Sequence, residues 1–67
     1  MKITFYGKRQ DDGSVPEAEH ESPAIPRVGE YVTFEGGAGW QASGRVHSVD
    51  YVWNTRREHP QIIVRTE

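Results

Sequence analysis

The 67-residue chain has no cysteine, which excludes disulfides and thiolate zinc sites, the commonest staples of small domains, and with them the secreted disulfide-rich class. No apolar run approaches a membrane span, and Met1-Lys2-Ile3-Thr4-Phe5 leads straight into an alternating pattern rather than a signal-peptide core. A cytoplasmic chain without membrane contact is expected. Nowhere do apolar residues recur at spacings of three and four over the roughly eleven residues an amphipathic helix needs, so little or no helix is expected. Positive charge is not in excess either: eight Lys and Arg stand against ten Asp and Glu, a net charge of -2, which gives no overall field to gather polyanions. One domain, residues 1–67, fits this length. A chain this small hides only roughly 60% of its unfolded surface, so a deep catalytic cleft is not expected and a partner or second copy is the expected support.

What is present is unevenly spread. Residues 1–22 carry three basic and five acidic groups, whereas residues 23–67 carry five of each. Ile3 and Phe5 alternate with Lys2, Thr4 and Tyr6, the period of a half-buried strand ending at Gly7. Residues 7–26, GKRQDDGSVPEAEHESPAIP, are rich in turn formers and acids and are expected to form one long polar acidic loop.

Residues 26–29 make a turn in which Gly29 is free to take a positive backbone angle, and EYVTFE follows as a strand with Val32 and Phe34 on one face. Gly36, Gly37 and Gly39 interrupt the pattern and present Trp40 from a glycine-rich connection; without a Lys followed by Ser or Thr at a helix start, this is no phosphate loop. Residues 44–53, GRVHSVDYVW, give the longest strand signal. The three-residue step from Val46 to Val49 breaks the period of two and predicts a bulge near His47 and Ser48. A polar turn over residues 54–60 then leads to a last strand in which Ile62 and Val64 oppose Ile63 and Arg65. The expected fold is all-β: a small, strongly curved antiparallel sheet or a partly open SH3-like barrel of four to five strands. Its expected core is Ile3, Phe5, Val28, Val32, Phe34, Val46, Val49, Ile62 and Val64.

His20, His47 and His59 have no metal-ligand spacing, so no metal or other cofactor is expected. Ser43, Ser48, His47 and Asp50 are the nearest to a nucleophilic set. Because neighbours on a strand point to opposite faces, His47 and Ser48 are not expected to work as base and nucleophile, and no catalytic residue is assigned. The acids of residues 7–26 lie in a segment too polar to desolvate them, so the chain is read as a non-enzyme. The informative inventory is aromatic and basic: Trp40, Tyr51 and Trp53, with Arg45, Arg56 and Arg57 as binding residues and Arg65, Lys8 and Arg9 expected nearby. Such residues dominate binding hot spots, because a rigid ring or planar donor fork gains contact at low entropic cost.

The segment PRVGEYVTF (residues 26–34), followed by GRVHSVDYVW and the closing IIVR, resembles small bacterial and phage-encoded proteins with a P-R-x-G-(D/E)-x-V opening. The pattern is one that SH3-like and transcription-elongation-type barrels share. The resemblance implies a β module and transfers no site residues. The expected function is a non-enzymatic protein-interaction module, phage- or mobile-element-encoded, that binds a partner protein through its aromatic and arginine face. Two alternatives accompany it. One is a nucleic-acid or nucleotide binder that uses Trp stacking and Arg–phosphate contacts; the other is a homo-oligomeric assembly unit joined through its edge strands.

Overall fold

Alternation of apolar and polar residues decides the first strand: β1 (Lys2–Tyr6) buries Ile3 and Phe5 on one face. The computed structural model describes residues 1–56 and 58–67. Arg57, expected as a binding residue, lies outside the described residues. After β1 come β2 (Glu17–Glu21), β3 (Tyr31–Glu35), β4 (Gln41–Val52) and β5 (Gln61–Thr66). The described residues form no helix, and so none long and apolar enough to cross a membrane.

The five strands make one mixed sheet in the order β2-β1-β5-β4-β3. All neighbours run antiparallel except β1 and β5, which are parallel, with Ile3 opposite Ile62 and Phe5 opposite Val64. The parallel pair departs from the expected antiparallel sheet: β1 is inserted between β2 and β5 and runs in the direction of β5.

Residues 7–26 are not loop throughout, because β2 lies within them and pairs along all of β1, from Lys2 opposite Glu21 to Tyr6 opposite Glu17. Glu and Ala are poor strand formers by propensity. Pairing prevails because the segment EAEHE alternates: Ala18 packs against the core and the His20 ring meets Phe5 edge-on at 6.1 Å, while Glu17, Glu19 and Glu21 stay exposed.

The predicted bulge is present. Val46 pairs with Thr66 but Ser48 with Arg65, leaving His47 as the extra residue. A bulge bends its strand and increases its twist. Before it, β4 pairs with β3; after it, with β5. The sheet thereby curls until Phe5 of β1 stacks on Phe34 of β3 at 5.3 Å, although β5 and β4 separate those strands in the sheet. The result is a small five-stranded sheet nearly closed into a barrel, with one unsealed seam between β2 and β3.

Ile3, Phe5, Phe34, Val46, Ile62 and Val64 form the buried core, with Val32 and Val49 half-buried against it. Val28 is a correction: it is 64% exposed. It sits in the turn closed by the Glu30 amide donating to the Arg27 carbonyl at 3.0 Å, where Gly29 has φ of 95°. A side chain at this turn has no sheet to cover it.

Candidate binding surfaces

The expected aromatic and arginine face is divided between the two ends of β4. Trp40 lies just before the strand and Tyr51 near its far end, separated by at most roughly 36 Å at the rise of an extended chain. Trp40 is half-buried, edge-on to Phe34 at 6.1 Å. Its indole lies so close over Gly36 that a Cβ there would come within 2.2 Å of the ring. The glycine connection thus lets Trp40 cover the core. Trp40 also helps line a hollow of about 510 Å³ with Val15, Pro16 and Glu17.

At the opposite end Tyr51, Val52 and Trp53 are exposed by 51%, 45% and 71%. Tyr51 stands opposite Ile62 in the β4–β5 ladder, on the core side but beyond the last covering layer. It borders a groove of about 790 Å³ whose apolar surface includes Ile25, Pro60 and Ile62 and whose carboxylates are Glu19, Glu21 and Glu58. Lys2 and the chain's amino group also line this groove. Lys2 is ion-paired with Glu19 at 3.7 Å and the amino group with Glu21 at 2.9 Å, and this second pair holds the Glu21 carboxyl below its ordinary value. The groove therefore presents apolar surface beside two ion pairs, with the Glu58 carboxylate in excess over them.

The arginines are dispersed. Arg56 is exposed in the turn after Trp53, where its amide donates to the Asn54 side-chain oxygen at 2.9 Å. Arg45 is exposed opposite Tyr31 in the other half of β4. Arg65, expected near the aromatic face, instead pairs with Asp50 and lies over the Tyr6 ring at 5.7 Å from its centroid. The side chains considered for nucleophilic chemistry are likewise apart: Ser43 shares a hydrogen bond with Thr33 at 2.9 Å, Asp50 is held by Arg65, and His47 is exposed at the bulge. Among the described residues no three His, Asp or Glu side chains converge as metal ligands do.

Sequence reasoning misses Glu19 and Glu21 at the groove because their segment, residues 7–26, reads as loop. The strict Glu-Ala-Glu-His-Glu alternation was the available signal. Ile25 and Pro60 carry no local sign that they line one groove with Tyr51. In comparisons with known proteins the chain matches no family model, no curated protein and no solved structure.

Proposed function

We propose that this chain is a non-enzymatic, cytoplasmic protein-interaction module that binds a partner protein at the Tyr51 end of the barrel. The observation that carries this reading is Tyr51, exposed and lining a groove with apolar surface, within a run that also leaves Val52 and Trp53 exposed. Exposed apolar surface rimmed by polar groups marks interaction sites, and Tyr and Trp are frequent anchors in them. The occupant this groove suits is a peptide segment with an apolar side chain for the Ile25, Pro60 and Ile62 surface and a Lys or Arg for the carboxylates. The likeness to small bacterial and phage barrels is compatible with this reading.

Trp53 with Arg56 also suits a nucleotide, but the groove holds one carboxylate more than its two paired cations and the chain's net charge is -2, which oppose phosphate, so the peptide reading is favoured. Selection from a displayed library of random ten-residue peptides tests it. Peptides that combine an apolar with a basic residue are expected to be enriched, and to bind the Tyr51→Ala, Trp53→Ala double variant at least about tenfold more weakly. No enrichment, or equal binding to the double variant, overturns the proposal.

A further inference from the structure

The seam between β2 and β3 is a second surface, which shares Glu19 and Glu21 with the border of the Tyr51 groove but not Tyr51 itself. Each of these strands is paired along one edge only. The phase of the two ladders establishes which backbone groups face the gap. In the β1–β2 ladder the Gly7 amide donates to the Pro16 carbonyl and the Ser22 amide to the Met1 carbonyl, both at 2.8 Å. Hydrogen-bonded pairs alternate along an antiparallel ladder. Ala18 and His20 therefore turn their backbones toward β1, and Glu17, Glu19 and Glu21 turn theirs toward the seam. In the β3–β4 ladder the Gly36 amide donates to the Trp40 carbonyl at 3.0 Å and the Val46 amide to the Glu30 carbonyl at 2.7 Å. By the same alternation Tyr31, Thr33 and Glu35 face the seam from the other side. One side chain crosses it: the His20 Nε2–H donates to the Glu35 carbonyl at 2.7 Å.

The side chains at these six positions are exposed, and four of them are Glu17, Glu19, Glu21 and Glu35. No Lys or Arg occurs in residues 28–44 or 10–26. Among the described residues Glu17 and Glu35 are in no ion pair. A second copy of the β2 edge would bring Glu17, Glu19 and Glu21 opposite like charges, which opposes pairing. A strand of opposite charge is attracted by the same rows.

We propose that the β2–β3 seam takes up an extended basic segment of a partner protein as a sixth strand. Its Lys or Arg side chains alternate on the outer face against Glu17, Glu19, Glu21 and Glu35. The intervening small apolar side chains face Ala18 and Val32. Main-chain hydrogen bonds supply the affinity in this mode of recognition, and alternate side chains the specificity. Entry displaces the His20 bond to the Glu35 carbonyl and replaces it with a backbone amide donor.

Three nine-residue peptides test the proposal: Lys alternating with Val, Glu alternating with Val, and Lys alternating with Pro. The last keeps the charge but has no amide donor at every second residue. Residue-resolved hydrogen exchange on the intact chain is the readout. The Lys–Val peptide is expected to slow exchange of the Glu17, Glu19, Glu21, Tyr31, Thr33 and Glu35 amides about tenfold or more, and the other two peptides to leave them unchanged. The Tyr51→Ala variant is expected to respond as the wild type does, which separates this site from the groove. Equal action of the Lys–Pro peptide overturns the proposal, as does protection confined to residues outside the seam or no protection by the Lys–Val peptide at low salt. A Glu19→Lys, Glu35→Lys variant that retains the wild-type fold by its amide spectrum is expected to prefer the Glu–Val peptide. If that variant does not fold, the wild-type measurement decides.

Discussion

Tyr6 shows how a single residue on the outer face is tuned by its cross-strand neighbours. It stands opposite Glu17 on one side and Arg65 on the other. Hydrogen bonding with Glu17, followed by desolvation and the Glu17 charge, pushes the phenol above its ordinary value of 10.0, against the opposing pull of Arg65. A group whose folded value is raised contributes stability that is complete below its unfolded pKa and lost as pH rises through the folded one. The chain is therefore expected to lose stability above about pH 10, and Tyr6→Phe to remove part of that loss. Urea denaturation of both proteins between about pH 8 and pH 11 checks this; parallel curves sink it. Trp40 illustrates a different residue-level limit. Its sequence neighbourhood showed that it was presented by glycines but not that Gly36 leaves room for the indole to lie against the backbone and Phe34.

Among the elements, β4 was the most legible, because an apolar step of three within a period of two has few explanations other than an extra residue. Removing His47 keeps every other pairing in phase: Val46 stays opposite Thr66, Ser48 opposite Arg65 and Val49 opposite Val64. The deletion therefore removes the bend without moving core residues to the wrong face. It is expected to cost roughly 1–3 kcal/mol through poorer packing where β4 passes from β3 to β5. His47→Ala, which retains the backbone, is expected to stay within about 0.5 kcal/mol of wild type because His47 is exposed. Equal stability of the two variants in urea would place the origin of the bend elsewhere. β2 was less legible: its inward residues are only Ala18 and His20, and their partner Phe5 is distant in sequence. The parallel pairing of β1 with β5 left no local trace at all, since neither strand's pattern encodes the direction of its neighbour. At the Tyr51 end the sequence supplied the aromatic residues, but the groove depends on Ile25 and Pro60 arriving from separate connections.

For the molecule as a whole, Phe34 joins what the chain order keeps apart. It is 4% exposed and touches Phe5 across the barrel and Trp40 at the end of its own hairpin. Phe34→Ala is expected to cost about 3–5 kcal/mol. That is a large part of the stability of a domain this small. The expected signature in thermal and urea melts is a lowered midpoint with a larger effect than a Val49→Ala substitution at the margin of the core. An effect no larger than that would mean the barrel closes without this ring.

The place of β5 in the sheet also governs how the chain reaches this structure. The middle strand is the last to be made, and its parallel neighbour is the first. Its ladder with β1 joins Ile3 to Ile62, so most of the chain must be gathered before that pairing returns any free energy. Topologies dominated by such distant pairings fold in milliseconds to seconds rather than microseconds. During synthesis β1 and β2 can form a hairpin early, while the edge of β1 that will receive β5 stays open until residues 61–66 have left the ribosome.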